Sequence, residues 1–274
     1  MPQELIIEAG RGERQYWRDL WTYRELFYFL AWRDILVRYK QTVIGIAWAV
    51  IRPFATMVVF TVVFSRIAKL PAPGAVPYAL LVMAAMLPWQ FFSTALSESS
   101  NSLIGNANLI SKIYFPRLII PAGSVITSFV DFLITLGLMA ALMLWYHFLP
   151  DWHIFLLPAF VVLAFGCSFG IGLWLCALNV EYRDFRYIVP FIVQFGLYIS
   201  PVGFSSAIVP EKWRLLYSLN PMVGVIDGFR WCLLRGESPF QLSAFLISAF
   251  ITVVLCASGV WYFRKMERTF ADVI

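Results

Sequence analysis

A chain of 274 residues that is 61% hydrophobic and only 14% charged, with a mean hydropathy of +0.76, is excluded from the ordinary soluble domains. Its formal net charge of +5 is read as membrane orientation, not as a nucleic-acid patch. The four cysteines form no C-x-x-C pair, and His147 and His153 flank one short loop with no third ligand nearby, so neither a metal centre nor a disulfide framework is expected.

Residues 1–23 are polar and charged, with Tyr16, Trp17, Trp21 and Tyr23 interleaved, and read as a surface arm. They lack the short apolar core and A-x-A site of a cleavable signal peptide. In the next stretch Tyr28, Trp32, Ile35, Leu36 and Tyr39 recur at helical spacing, with Arg33, Asp34, Arg38 and Lys40 turned elsewhere. That suits an amphipathic helix at the headgroup layer. A second apolar line, Leu26, Leu30 and Val37, fits a helix wedged between lipid and protein; an ordinary juxtamembrane helix is the alternative.

A helix needs about 20 apolar residues to cross ~30 Å of hydrocarbon. Six stretches qualify: Ile44–Phe64, Tyr78–Leu96, Leu118–Tyr146, Ile154–Leu178, Ile188–Phe204 and Phe240–Phe263, the fifth short and the third long. None alternates with the period of a barrel strand. The expected fold is therefore an all-α integral membrane protein with six transmembrane helices. With both termini placed in the cytoplasm, fifteen basic residues lie inside and six outside, as the positive-inside rule asks.

Within the first span, Arg52 stands about 12 Å along the axis from Ile44 and either snorkels to the headgroups or lines a wet path. Pro53 and, in the second span, Pro88 are kink positions. The loop Asn101–Pro121 carries Leu109, Ile110, Ile113, Tyr114 and Phe115, which a solvated loop does not need; a short docked helix is expected. Asp131 lies near the middle of the third span between Thr127 and Thr135. With no basic partner in neighbouring spans, it reads as a hydrogen-bonded helix contact, and a functional group is the alternative. Gly166, Gly170 and Gly172 in the fourth span allow close helix approach. Asn179–Tyr187 is a brief charged loop bracketed by tyrosines. Ser205–Pro239 is too broken to span and too apolar for a free loop. It reads as two short helices, Glu211–Leu219 and Met222–Leu234, hinged at Asn220-Pro221.

R-Y-K-Q-T-V-I-G-x-x-W followed by Pro53, then L-P-W-Q-F-F, N-A-N-L-I-S-K-I-Y-F-P-R, Y-R-D-F-R-Y, S-P-V-G-F and N-P-M-V-G-V-I-D-G-F-R-W stand in this order along the chain. Together they resemble an ABC-2 type permease of the polysaccharide export group, from about Arg24 to Phe263. The resemblance implies a homodimer in the inner membrane, paired with two copies of a separate ATP-binding subunit. It also implies an undecaprenyl-linked polysaccharide as substrate. ATP and Mg would belong to the partner, since no G-x-x-x-x-G-K-[ST] loop is present and no cofactor is expected here.

It further divides the chain into a cytoplasmic arm and interface helix (1–43), a transmembrane domain (44–263) with a re-entrant periplasmic segment (205–239), and a cytoplasmic tail (264–274). ATPase coupling would then fall on Arg38 and Tyr39, on Asn108, Lys112, Phe115, Pro116 and Arg117, and on Tyr182, Arg183 and Asp184. The outer gate would include Pro210, Asn220, Pro221 and Arg230. Trp48, Trp89, Phe92 and Tyr198 are expected to line the path, where rings stack on the C–H faces of sugars; belt aromatics are the alternative. A small-molecule exporter of the same type would share this topology.

Overall fold

A computed structural model describes residues 13–40, 45–238, 240–267 and 269–270. Expectations that fall elsewhere, such as the first twelve residues of the arm, Gln41 and Ile44 at the junction into the first span, and the last four of the tail, lie outside the described residues. Two helices precede the bundle, α1 (Glu13–Thr22) and α2 (Arg24–Lys40). The bundle itself contains α3 (Gly45–Phe60), α4 (Tyr78–Gly105), α6 (Ile119–Trp145), α7 (Leu157–Glu181), α8 (Phe185–Ile199) and α11 (Leu242–Met266). The short α5 (Ala107–Ile110) lies in the loop between α4 and α6, and α9 (Glu211–Tyr217) and α10 (Pro221–Leu233) lie between α8 and α11.

Among the described residues, five helical stretches are long and apolar enough to cross a membrane: Ala47–Ile67, Tyr78–Gly105, Ile119–Trp145, Trp152–Glu181 and Leu242–Met266. The sixth expected span is shorter, because α8 stops after 15 residues at Ser200-Pro201. Pro201 cannot continue the ladder, and the Ser200 backbone N–H closes on Gly196. In α3 Pro53 is accommodated without a break, and the helix widens into a π-helical turn over Thr61–Ile67.

The central element is α4. Apolar on all sides, it is buried nearly throughout, with Leu80 to Ala85 wholly enclosed by α6, α7 and α10. The fourth-span glycines do what their spacing suggests. A Cβ on Gly170 would stand 2.6 Å from the Cys256 backbone nitrogen, and one on Gly259 would stand 2.4 Å from the Gly170 carbonyl oxygen. The α7 and α11 backbones thus touch, and Gly172 presses on Ser99 of α4. Replacing Gly170 with valine should force these helices apart at a cost of about 1–3 kcal/mol. A drop in the melting temperature of the purified protein measures it; an unchanged value would contradict the packing.

A second, smaller core closes the end of the bundle where the described termini meet. Leu30, Leu103, Ile110, Phe115, Phe263 and Phe270 are buried in it, with Tyr16 and Leu20 of α1 packed alongside. Residues 13–22 are therefore a docked helix and not a bare surface arm. The Arg264 guanidinium sits over the rings of Tyr16 and Trp17, at 4.5 and 5.9 Å, so the tail holds α1 in place.

Candidate functional site: a helix tied to the loop after α4 and into the bundle

Of the expected inner line of α2, Leu30 is buried and Leu26 half-buried, but Val37 is exposed. The line through Leu30 and Ala31 packs on α6, while Tyr28, Phe29 and Trp32 stand exposed, Tyr28 and Trp32 with parallel rings 6.4 Å apart. The helix runs beside the first half of α6, with Ala31 near Gly123, and its last turn reaches Asp131. There the Arg38 guanidinium donates to Asp131 at 2.8 Å and to Glu98 of α4, and the Tyr39 hydroxyl donates to the other Asp131 oxygen. From the middle of the helix the Arg33 guanidinium donates to the Asn106 side-chain oxygen at 3.0 Å, at the residue that caps α5. One helix thus joins the loop after α4 to carboxylates on two spans.

This corrects the reading of Asp131. Its partners come from α2, not from a neighbouring span, and they are charged or strongly polar. Thr127 and Thr135 instead donate to carbonyls of their own helix, at Gly123 and Asp131, so their hydroxyls do not bridge helices. Arg52 is also placed. It lines a crevice of about 310 Å³ between α2, α3, α4 and α6, together with Arg38, Trp48, Gln90, Thr94, Glu98 and Asp131.

The expected coupling residues divide by exposure. Asn108, Lys112, Tyr182, Arg183 and Asp184 face outward at the end of the bundle where the termini gather. Phe115 is 3% exposed and Pro116 is buried; these two belong to the small core. Arg117 is tied inward. Its backbone N–H donates to the Glu267 carboxylate at 2.7 Å, its guanidinium donates to the Glu267 carbonyl, and it lies over the Phe270 ring. Ile113 and Tyr114, more than half exposed, supply the outward apolar surface of this loop.

Among the path candidates, Trp48 and Tyr198 are exposed, whereas Trp89 and Phe92 are buried. The Trp89 ring fills the space left by Gly196 of α8, where a Cβ would come within 2.6 Å of it.

The broken segment forms the two short helices expected, Glu211–Tyr217 and Pro221–Leu233. Asn220 caps α10, accepting from the Met222 N–H at 3.1 Å, and donates to Ser200 at 3.0 Å; Pro221 takes the first helical position, where no amide hydrogen is needed. Pro210 precedes α9 and is exposed. Arg230 is fully buried and donates to three carbonyls: Leu81 at 3.1 Å, Phe204 at 2.8 Å and Val202 at 3.0 Å. The Tyr78 hydroxyl donates to Gly203 at 2.8 Å, so the S-P-V-G-F turn is held from both α4 and α10. Asp227, one turn before Arg230, is pushed up to about 6 by burial, which outweighs the pull of Arg230.

An apolar helical bundle, a broken pair of helices at one end and a wired helix at the other define a multi-pass membrane protein of the transporter class. The family model of the ABC-2 type transporter matches residues 25–234, and the chain belongs to that family. It is 27% identical over 259 residues to the O-antigen export system permease protein RfbA of Myxococcus xanthus, covering 94% of this chain and 98% of that one. It is 27% identical over 247 residues to the RfbA protein of Klebsiella pneumoniae, covering 88% and 92%. The polysialic acid transport protein KpsM of Escherichia coli is 21% identical over 243 residues, covering 86% and 91%.

Proposed function

We propose that this chain is the membrane-spanning subunit of an ATP-driven exporter that carries a lipid-linked polysaccharide, of the O-antigen kind, from the cytoplasm across the inner membrane. The near full-length similarity to O-antigen export permeases carries this reading. The end bearing the termini is the cytoplasmic one. Two copies form the path, and each docks one ATP-binding subunit, which binds ATP and Mg and does the hydrolysis. The exposed aliphatic and aromatic side chains of α8, including Tyr198, and those of α3 that do not line the crevice supply the faces between the two copies; Trp48 lines the crevice, and Trp89 supports α8 from behind.

Force from the ATPase enters at the outward residues of Asn108–Tyr114 and at Tyr182–Asp184. It passes through Asn106 and Arg33 into α2, and from Arg38 to α4 and α6 together. Because the second and third spans share one cation, they move as a pair. The helices α9 and α10 re-enter the membrane from the periplasmic side, and the pinned S-P-V-G-F turn forms the outer closure.

Disrupting the gene should trap undecaprenyl-linked polymer in the cytoplasm, seen by lipid extraction and glycan staining. Normal surface polymer with no trapped intermediate would reject the substrate, and would favour a small molecule as cargo. Replacing Ile113 and Tyr114 together with serine should leave insertion and the melting temperature unchanged but release the ATPase subunit on co-purification. Replacing Phe115 with alanine should instead destabilise the chain by about 3–5 kcal/mol, since it empties part of the small core. If both variants behaved alike, the division of this loop into outward and inward residues would be wrong.

A further inference from the structure

The crevice behind α2 has a charge balance that identifies an occupant. Arg38 and Arg52 bring two positive charges and Glu98 and Asp131 two negative ones, so the lining is neutral overall. The capacity is not evenly used. Asp131 is taken by Arg38 and Tyr39, whereas the Glu98 side chain is still 49% exposed with Arg38 at one oxygen. Across from it on α3, the Arg52 guanidinium forms no hydrogen bond or ion pair with a described residue. The crevice therefore offers one open cation and one open carboxylate on facing helices, with Gln90 and Thr94 between them.

Its mouth lies on the α3–α6 side of α4, opposite the face that packs on α8. It lies among α3, α4 and α6, three stretches long and apolar enough to cross a membrane. Glu98 is seven residues from the end of α4, roughly 10 Å along the axis, a depth suited to the headgroup boundary. A molecule reaching this site comes from the bilayer and carries a polar head. A simple anion would add unbalanced charge beside two carboxylates, at a cost that low dielectric magnifies. A zwitterion would not.

We infer that this crevice binds the headgroup of a zwitterionic aminophospholipid of the ethanolamine type, its phosphate on Arg52 and its ammonium on Glu98. A primary ammonium has N–H donors for Glu98, Gln90 and Thr94; a trimethylated one has none and would need an aromatic cage, where only Trp48 is present. Bound there, the lipid bridges α3 to the α4 and α6 pair already joined by Arg38. The inference depends on the exporter reading only for which leaflet supplies the lipid.

The test is native mass spectrometry of the delipidated full-length chain in detergent, titrated with phosphatidylethanolamine, phosphatidylcholine or phosphatidylglycerol. Retention of the ethanolamine lipid about tenfold above the other two is expected. Arg52→Gln and Glu98→Gln should each remove that preference, Arg52→Lys should keep most of it, and Lys212→Gln at the far end should change nothing. Soluble phosphoethanolamine should compete only weakly; if it displaced the lipid at equal concentration, the free headgroup and not a bilayer lipid would be the ligand. Equal retention of the three lipids, preference for the glycerol lipid, or indifference to both substitutions would overturn the proposal. The export reading fails separately, if a chain that retains the lipid normally neither binds an ATPase nor traps polymer when lost.

Discussion

Arg230→Met is expected to lower stability by about 3–5 kcal/mol, the range for removing one partner from a buried charge network. The loss has three parts that can be named. The carbonyls of Leu81, Val202 and Phe204 lose their donor, Asp227 loses its counter-charge, and no water can enter a site that is fully enclosed. For a chain of this size the fall in melting temperature would be on the order of 10 °C. Arg230→Lys should recover less than half of this, because one ammonium cannot reach carbonyls on α4 and on the S-P-V-G-F turn in the planar geometry a guanidinium offers. Adding Asp227→Asn to Arg230→Met should recover part of the loss by removing the stranded carboxylate. Thermal unfolding of the purified variants measures all three. An Arg230→Met protein as stable as the wild type would show that the turn is held by something other than this side chain.

Arg38→Met should act on transport more than on folding. Glu98 and Asp131 would then face one another without the cation that joins them, and α4 would lose its tie to α2 and α6, which stay joined to each other through Tyr39 and packing. Coupling networks of this kind carry about 0.5–2 kcal/mol, so export should fall roughly tenfold while the ATPase subunit still co-purifies and still hydrolyses ATP. Combining Arg38→Met with Glu98→Gln and Asp131→Asn should restore stability, because the like charges are gone, but not export, because the tie is gone too. Wild-type export in Arg38→Met would remove α2 from the transmission route. Export restored by the neutral triple variant would mean that charge balance, and not a mechanical link, is what Arg38 supplies.

Much of the molecule is legible in the residues. Runs of apolar side chains too long for anything but a helix in lipid mark the spans, and the hinge at Asn220-Pro221 marks the break between α9 and α10. In both cases the cause is local: backbone polar groups in hydrocarbon must bond within their own segment, and Pro221 lacks the hydrogen that a continuing helix would need. The glycines at 166, 170 and 172 are legible for a similar reason, since a missing side chain has few uses in a membrane helix besides contact.

The charged site is not legible in that way. Arg38 and Asp131 are 93 residues apart, and Arg38 lies outside every span. A search for partners of Asp131 confined to neighbouring spans could not find it, because the pairing depends on α2 folding back alongside α6. The same holds for Arg117 and Glu267, brought together only when the tail returns to the first inner loop. It holds as well for Trp89 and Phe92, which composition offers as exposed rings and which the approach of α8 covers.

What the amino-acid order determined by itself is the class of protein, the rough limits of its long apolar helices, and the place where the chain breaks. These follow from the free energy of single segments in water or lipid. Which side of each helix is covered, which ions meet, and which residues of a loop point outward were decided only by tertiary packing. Those outcomes depend on distances between segments far apart in the chain, and no local preference encodes them.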